Sequence, residues 1–143
     1  MSQQDVQTIR EGYEAFNRND ISDVLERFDP QIEFNEPGGG RAPKGTFRGP
    51  QAVADQVFST VPGNFDDFAA HAEQFIDAGE HVVVVGRFRG RAKGGVMLDA
   101  PFVHVWTMRN GKAARFYNHV EASAWAKAWG SVLVSQPCMP ESW

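Results

Sequence analysis

The sequence predicts one α+β domain, in which a curved antiparallel sheet packs against three N-terminal helices and encloses a mostly apolar pocket. Three observations predict it. Apolar residues recur at helical spacing near the N-terminus, glycine turns cut the chain at strand-like intervals from Phe68 onward, and Asn110-Gly111 marks a two-residue hairpin. A length of 143 residues, 42% hydrophobic and 12% aromatic against 22% charged, fits one domain able to bury a sizeable core.

Val6, Ile9, Tyr13 and Phe16 fall on one face of a first helix. Asn17 to Asp20 is turn chemistry, after which Ile21, Val24, Leu25 and Phe28 form a second short helix stopped by Pro30. Residues 31–36 alternate as a half-buried strand, with Ile32, Phe34 and Glu36 on the apolar side. A loop rich in glycine and proline runs from Pro37 to Gly49, and Pro50 opens a third helix carrying Val53, Val57, Phe58 and Val61. Four strands follow, near 68–77, 81–90, 97–109 and 112–121, and Ala122 to Trp129 reads as a short helix or turn. The pocket domain is placed at 1–130 and a C-terminal arm at 131–143.

The Asn110-Gly111 turn sets the register of the last two strands, pairing Arg109 with Lys112. Counting outward puts His104 opposite Tyr117, Trp106 opposite Arg115, Phe102 opposite His119 and Ala100 opposite Glu121, all on one side. Val103, Val105, Phe116 and Val120 fall on the other. The side that mixes aromatic and ionisable groups reads as the pocket wall. The aliphatic side reads as a surface covered by a second subunit, because three helices cover only one face. A bulge in either strand would invert part of this assignment.

A formal charge of -4 argues against nucleic acid as a partner. The one local basic cluster, Arg87, Arg89, Arg91 and Lys93, lacks the interleaved aromatics of a binding platform and reads as a solvated strand end. The single cysteine, Cys138, allows no intrachain disulfide. The longest aliphatic run, Val82 to Val85, is far too short for a membrane span. A soluble cytoplasmic protein is expected. His71, His81, His104 and His119 show no metal-ligand spacing, and PGGG at 37–40 lacks the partners of a phosphate loop or a dinucleotide fingerprint, so neither metal nor cofactor is expected.

The order of elements, with YEAFNRND at 13–20, FDPQIEFNEPGG at 28–39, GTFRGPQAV at 45–53 and APFVHVWTMRNGKAARF at 100–116, resembles the nuclear transport factor 2-like superfamily and its SnoaL-like and ketosteroid isomerase-like branch. The resemblance covers roughly residues 5–125. It implies a cone-shaped, cystatin-like roll with a pocket between sheet and helices, often dimeric through the outer sheet face. It also implies that Glu36 stands where steroid-isomerase relatives carry an aspartate base, and His104 where they place an oxyanion donor. The helix tyrosine of those enzymes falls near Gly12, one residue from Tyr13. Glu121 matches the acidic residue that polyketide cyclase-like relatives carry near the end of the last strand.

Each candidate has a structural alternative. Glu36 on an apolar face, with its pKa raised by burial, suits proton abstraction beside a carbonyl; it also suits accepting hydrogen bonds from loop amides between Gly38 and Gly40. His104 is either a donor to substrate or a core histidine bonded to Tyr117. His119 and Glu121 are catalytic groups or solvated rim residues. Tyr13, Phe16, Phe34, Phe102, Trp106 and Tyr117, with His119, are candidate contacts to a small hydrophobic ligand, although aromatics in a core look the same. The function follows as a cofactor-independent isomerase, cyclase or related lyase with Glu36, His104 and Glu121 in catalytic roles, or as a carrier or sensor of the same fold without chemistry. A purely structural dimerisation domain is the third reading.

Overall fold

The computed structural model describes residues 2–130; the expected arm at 131–143, with Cys138, lies outside them. Helices α1 (Ser2–Asn17) and α2 (Ile21–Glu26) come first, then strands β1 (Phe28–Pro37) and β2 (Lys44–Arg48). Helix α3 (Pro50–Val53) runs into a π-helical stretch at Ala54–Phe58 and is followed by α4 (Thr60–Asn64). Four long strands β3 (Phe65–Ala78), β4 (His81–Ala92), β5 (Met97–Arg109) and β6 (Lys112–Val120) and a last helix α5 (Ala122–Ala128) complete the fold. The six strands make one sheet in the order β2-β1-β6-β5-β4-β3.

Three local expectations change. Helix α2 ends at Glu26, before Pro30, and Phe28 and Pro30 already belong to β1, whose pairing shifts register between Phe28 and Glu33. The glycine-rich loop contains β2, which pairs antiparallel with β1 from Glu33–Arg48 to Pro37–Lys44. The sheet is also not wholly antiparallel, because β1 runs parallel to β6, with Phe34 beside Phe116. That parallel contact stacks the two rings with centroids 4.1 Å apart and brings the end of β1 against the middle of β6.

The helices are tied to the sheet by polar clips as well as by apolar packing. The Asn17 side-chain amide both donates to the Ala70 carbonyl and accepts from the Ala70 N–H, each at 2.9 Å, so the C-terminal end of α1 is pinned to β3. Ile9, Tyr13 and Ala15 of α1 are buried against that surface. Asp20 caps α2 by accepting from the Asp23 N–H.

The hairpin turn forms as expected. Asn110 and Gly111 both take positive φ, 53° and 78°, and Arg109 pairs with Lys112. A bulge then intervenes: Met108 pairs with Ala113 but Thr107 with Arg115, so Ala114 is an extra residue in β6. From there every partner moves by one. Trp106 faces Phe116, Val105 faces Tyr117, His104 faces Asn118 and Val103 faces His119. The physical reason is legible in the side chains, since without the bulge the Arg115 guanidinium would lie opposite Trp106 in the interior and Phe116 would face water. With it, Arg115 lies outside, 3.6 Å from Glu33, and Phe116 is buried.

The outer face of the sheet carries Ile76, Val83, Val85, Val103, Val105 and Tyr117 on neighbouring strands. Ile76, Val103 and Tyr117 are the most open of these, at 38%, 38% and 40% exposed. The inner residues Val82, Val84 and Ala100 are fully buried. Among the described residues no helix is long and apolar enough to cross a membrane.

Candidate functional site

Between the concave face of the sheet and the helices lies a cavity of about 90 Å³. That is several times the space one water molecule needs. Tyr13 and Phe16 of α1, Phe34 and Glu36 of β1, and Val57 and Phe58 of the π-helical stretch line one part of it. His104 and Trp106 of β5, Phe116 and Asn118 of β6, and Trp125 and Trp129 at the α5 end line another. Glu36 is the only carboxylate on this wall, and no lysine or arginine borders it among the described residues.

A chain of hydrogen bonds runs through the wall. Trp106 Nε1 lies 2.9 Å from Tyr13 Oη, which lies 2.6 Å from His104 Nδ1. His104 Nε2 lies 3.0 Å from Asn118 Oδ1, and Asn118 Nδ2 lies 2.9 Å from Glu36 Oε1. Its direction follows from its ends. An indole N–H only donates, so Tyr13 accepts from Trp106 and its own proton goes to His104 Nδ1. His104 is then the neutral tautomer protonated at Nε2; it donates to Asn118, whose amide hydrogens point to Glu36.

The electrostatics agree with this assignment. Burial pushes the His104 pKa down from 6.5 to about 3, against the opposing bond to Asn118 and with a smaller contribution from His119, so the ring is neutral. Its face is stacked on Phe102, with centroids 3.7 Å apart, which removes it from water. Burial likewise raises the Tyr13 phenol above its ordinary value. Burial raises the Glu36 carboxyl from 4.5 to about 7, with the Asn118 bond opposing the shift. Asn118 is its one hydrogen-bond donor among the described residues, so the loop amides between Gly38 and Gly40 are not its anchor.

The chain of bonds makes Tyr13→Phe informative. That change leaves the Trp106 N–H and His104 Nδ1 unpaired in the interior, and a loss of about 2–4 kcal/mol in folding stability is expected. Urea unfolding measures it. A loss under about 0.5 kcal/mol would mean that the two groups find other partners.

Glu36, Tyr13, Phe16, Phe34, His104 and Trp106 are thus brought together as expected. Four residues are placed differently. Phe102 is a core residue behind His104 and does not line the cavity. Tyr117 and His119 lie on the outer face, because the bulge at Ala114 reverses their side; they stack on each other with ring centroids 5.9 Å apart. Glu121 is the exposed N-cap of α5. It accepts from the Ser123 and Ala124 N–H groups, bonds that hold its carboxyl below the ordinary value. His104 does reach the pocket wall, but both ring nitrogens are committed, to Tyr13 and to Asn118.

Asn118, Phe116, Trp125 and Trp129 were not among the candidates. Asn118 and Phe116 were reachable by asking which side of β6 would have to bury Arg115. The tryptophans carry a weaker signal: their spacing of four puts both on one face of a short helix.

Residues 9–116 match the SnoaL-like domain family. An NTF2-like protein from Burkholderia pseudomallei is 32% identical, with 87% of this chain and 96% of that one covered at a TM-score of 0.80. Bal32a, from a soil-derived mobile gene cassette, is 27% identical over 90% of this chain and 98% of its own, at a TM-score of 0.82. TerC, co-crystallised with polyporic acid, is also 27% identical, covering 90% and 99% at a TM-score of 0.79. Curated proteins provide no match. The cone of sheet and helices is therefore an NTF2-like fold. The chain belongs to the SnoaL-like domain family.

Proposed function

We propose that the cavity binds a small, largely apolar organic molecule and that Glu36 acts on it as a general base. The observation that carries this reading is one carboxylate in an otherwise uncharged aromatic cavity, with burial moving its pKa to about 7. In the step proposed, a C–H bond beside a carbonyl breaks, its proton goes to Glu36 and the electron pair moves into the enolate. Returning the proton to another carbon gives an isomerase; attack of the enolate on a second carbonyl, whose oxygen then takes the proton back from Glu36, closes a ring as a cyclase does. The neutral chain through Asn118 holds the carboxyl in place without titrating near pH 7.

Deuterium incorporation from D2O into a panel of cyclic enones and polyketide-like ketones, followed by NMR, tests this. Exchange that depends on Glu36 supports it; no exchange on any member of the panel, together with unchanged ligand binding in Glu36→Gln, sinks it. The commitment of both His104 nitrogens favours a second reading, a carrier without chemistry, since the expected polariser has no free proton to offer. Under that reading a bound ligand is recovered unchanged after long incubation.

We also propose a homodimer through the outer sheet face. Ile76, Val83, Val85, Val103, Val105 and Tyr117 form a contiguous apolar area of the kind soluble monomers seldom leave open. Sedimentation at micromolar concentration should give twice the chain mass, and Val103→Asp should lower it. A stable wild-type monomer would remove the proposal.

A further inference from the structure

We infer that Trp125 and Trp129 are the cavity's donors to a ligand oxygen, and that the ligand is therefore an uncharged carbonyl compound with an aromatic or alicyclic body. This deepens the ligand-site reading and rests on it.

Both indoles border the cavity, 4% and 3% exposed, and they stand edge to face with centroids 5.6 Å apart. Their Nε1 atoms are buried and have no hydrogen-bond partner among the described residues. Trp106, the third indole on the wall, is the contrast, because its N–H is used by Tyr13. The other donor-bearing side chains of the wall each hold a partner already: Tyr13 donates to His104, His104 to Asn118 and Asn118 to Glu36, and the Thr60 hydroxyl donates to the Val57 carbonyl. Two N–H groups remain.

A buried donor left unpaired is costly, and folded proteins keep few of them. Two in one wall are a cost that a bound oxygen would recover. The neighbouring groups cannot serve, since the rings packed on the two indoles are phenylalanines: Phe65 against Trp129, with Phe68 and Phe88 against Trp125. These offer only the weak acceptor of a ring face.

The chemistry of the whole wall narrows the ligand further. Neutral indoles bring no positive charge, and Glu36 repels an anion, so the oxygen is that of an uncharged carbonyl. The carboxylate of Glu36 and the indole pair are complementary, one suited to an acidic C–H and the other to the oxygen that gains charge when the proton leaves.

Acetophenone and α-methylstyrene have nearly the same shape and differ by C=O against C=CH2. Indole N–H signals of the full-length 15N-labelled protein are followed while each is added. Acetophenone should move two indole signals downfield, the two that vanish in Trp125→Phe and Trp129→Phe, and α-methylstyrene should leave them in place. The Trp125→Phe/Trp129→Phe double variant should bind acetophenone about tenfold more weakly, with α-methylstyrene changed less than about twofold. Equal loss of both molecules, or wild-type indole signals that do not distinguish them, overturns the inference and leaves the cavity reading standing. If neither molecule binds the wild-type protein, the cavity reading fails and takes the inference with it.

Discussion

Replacing Glu36 with Gln should slow ketone proton exchange by about 10²–10⁴-fold, the usual contribution of a general base. In the wild-type protein, exchange should rise with pH through about 7, where the carboxyl ionises. Stability should respond in the opposite sense. A carboxyl whose pKa is about 7 in the fold against 4.5 outside it contributes fully below pH 4.5, and that contribution is lost as pH rises through 7. The difference is about 3 kcal/mol. Neutral His104, at about 3 against 6.5, contributes fully above pH 6.5 and loses it as pH falls toward 3. Between pH 4.5 and 6.5 the two slopes cancel, so wild-type stability is nearly flat there. Glu36→Gln keeps only the histidine slope and ends more stable than wild type above pH 7. Urea unfolding at pH 5, 6, 7 and 8.5 reads this, and matching pH profiles for the two proteins would remove Glu36 from the buried site.

Gly86→Ala should destabilise the fold by about 3 kcal/mol or more, the upper end for overfilling a packed interior. A Cβ on Gly86 would overlap the His71 carbonyl oxygen and stand 2.8 Å from the Phe102 ring, with the Ala72 backbone at 3.1 Å. Two of those three neighbours are backbone and cannot rotate away. Gly86 sits where β3 shifts register between Ala72 and Gln74, so the missing side chain is what lets the two strands close up. Phe102 in turn supports His104, so the same change should disturb the chain leading to Glu36. Gly63 in α4 is the control, because nothing lies within 4 Å of an added Cβ, and Gly63→Ala should be neutral or slightly stabilising. Thermal unfolding separates the two outcomes; a Gly86→Ala protein as stable as wild type would show that β3 moves freely.

Strand positions and the turn at Asn110-Gly111 were legible because alternation and turn chemistry are local. Glu36 was legible for the same reason: counting by two from Ile32 and Phe34 puts it on the apolar side. The parallel pairing of β1 with β6 was not legible, since it joins segments about eighty residues apart and leaves no local trace. Strand β2 was hidden by its composition, as Lys44-Gly45-Thr46 reads as loop until β1 is present to pair with it. Tyr117 and His119 were misplaced by simple counting, and the correction was available from charge alone, because Arg115 and Phe116 cannot both be content without an extra residue before them. The tie from Tyr13 to His104 spans 91 positions and needed the packed helix to appear.

Ala114 makes the lining of this cavity a matter of odd and even. Because it is one residue long, the bulge decides whether Phe116 and Asn118 or Tyr117 and His119 look inward, while the turn and the other strands keep their places. At the present length a regular ladder would put the Tyr117 phenol where the Asn118 amide stands opposite His104, whereas deleting Ala114 itself would close the bulge and leave Asn118 in place. Relatives lacking the extra residue should therefore carry the matching inward groups one position closer to the hairpin turn.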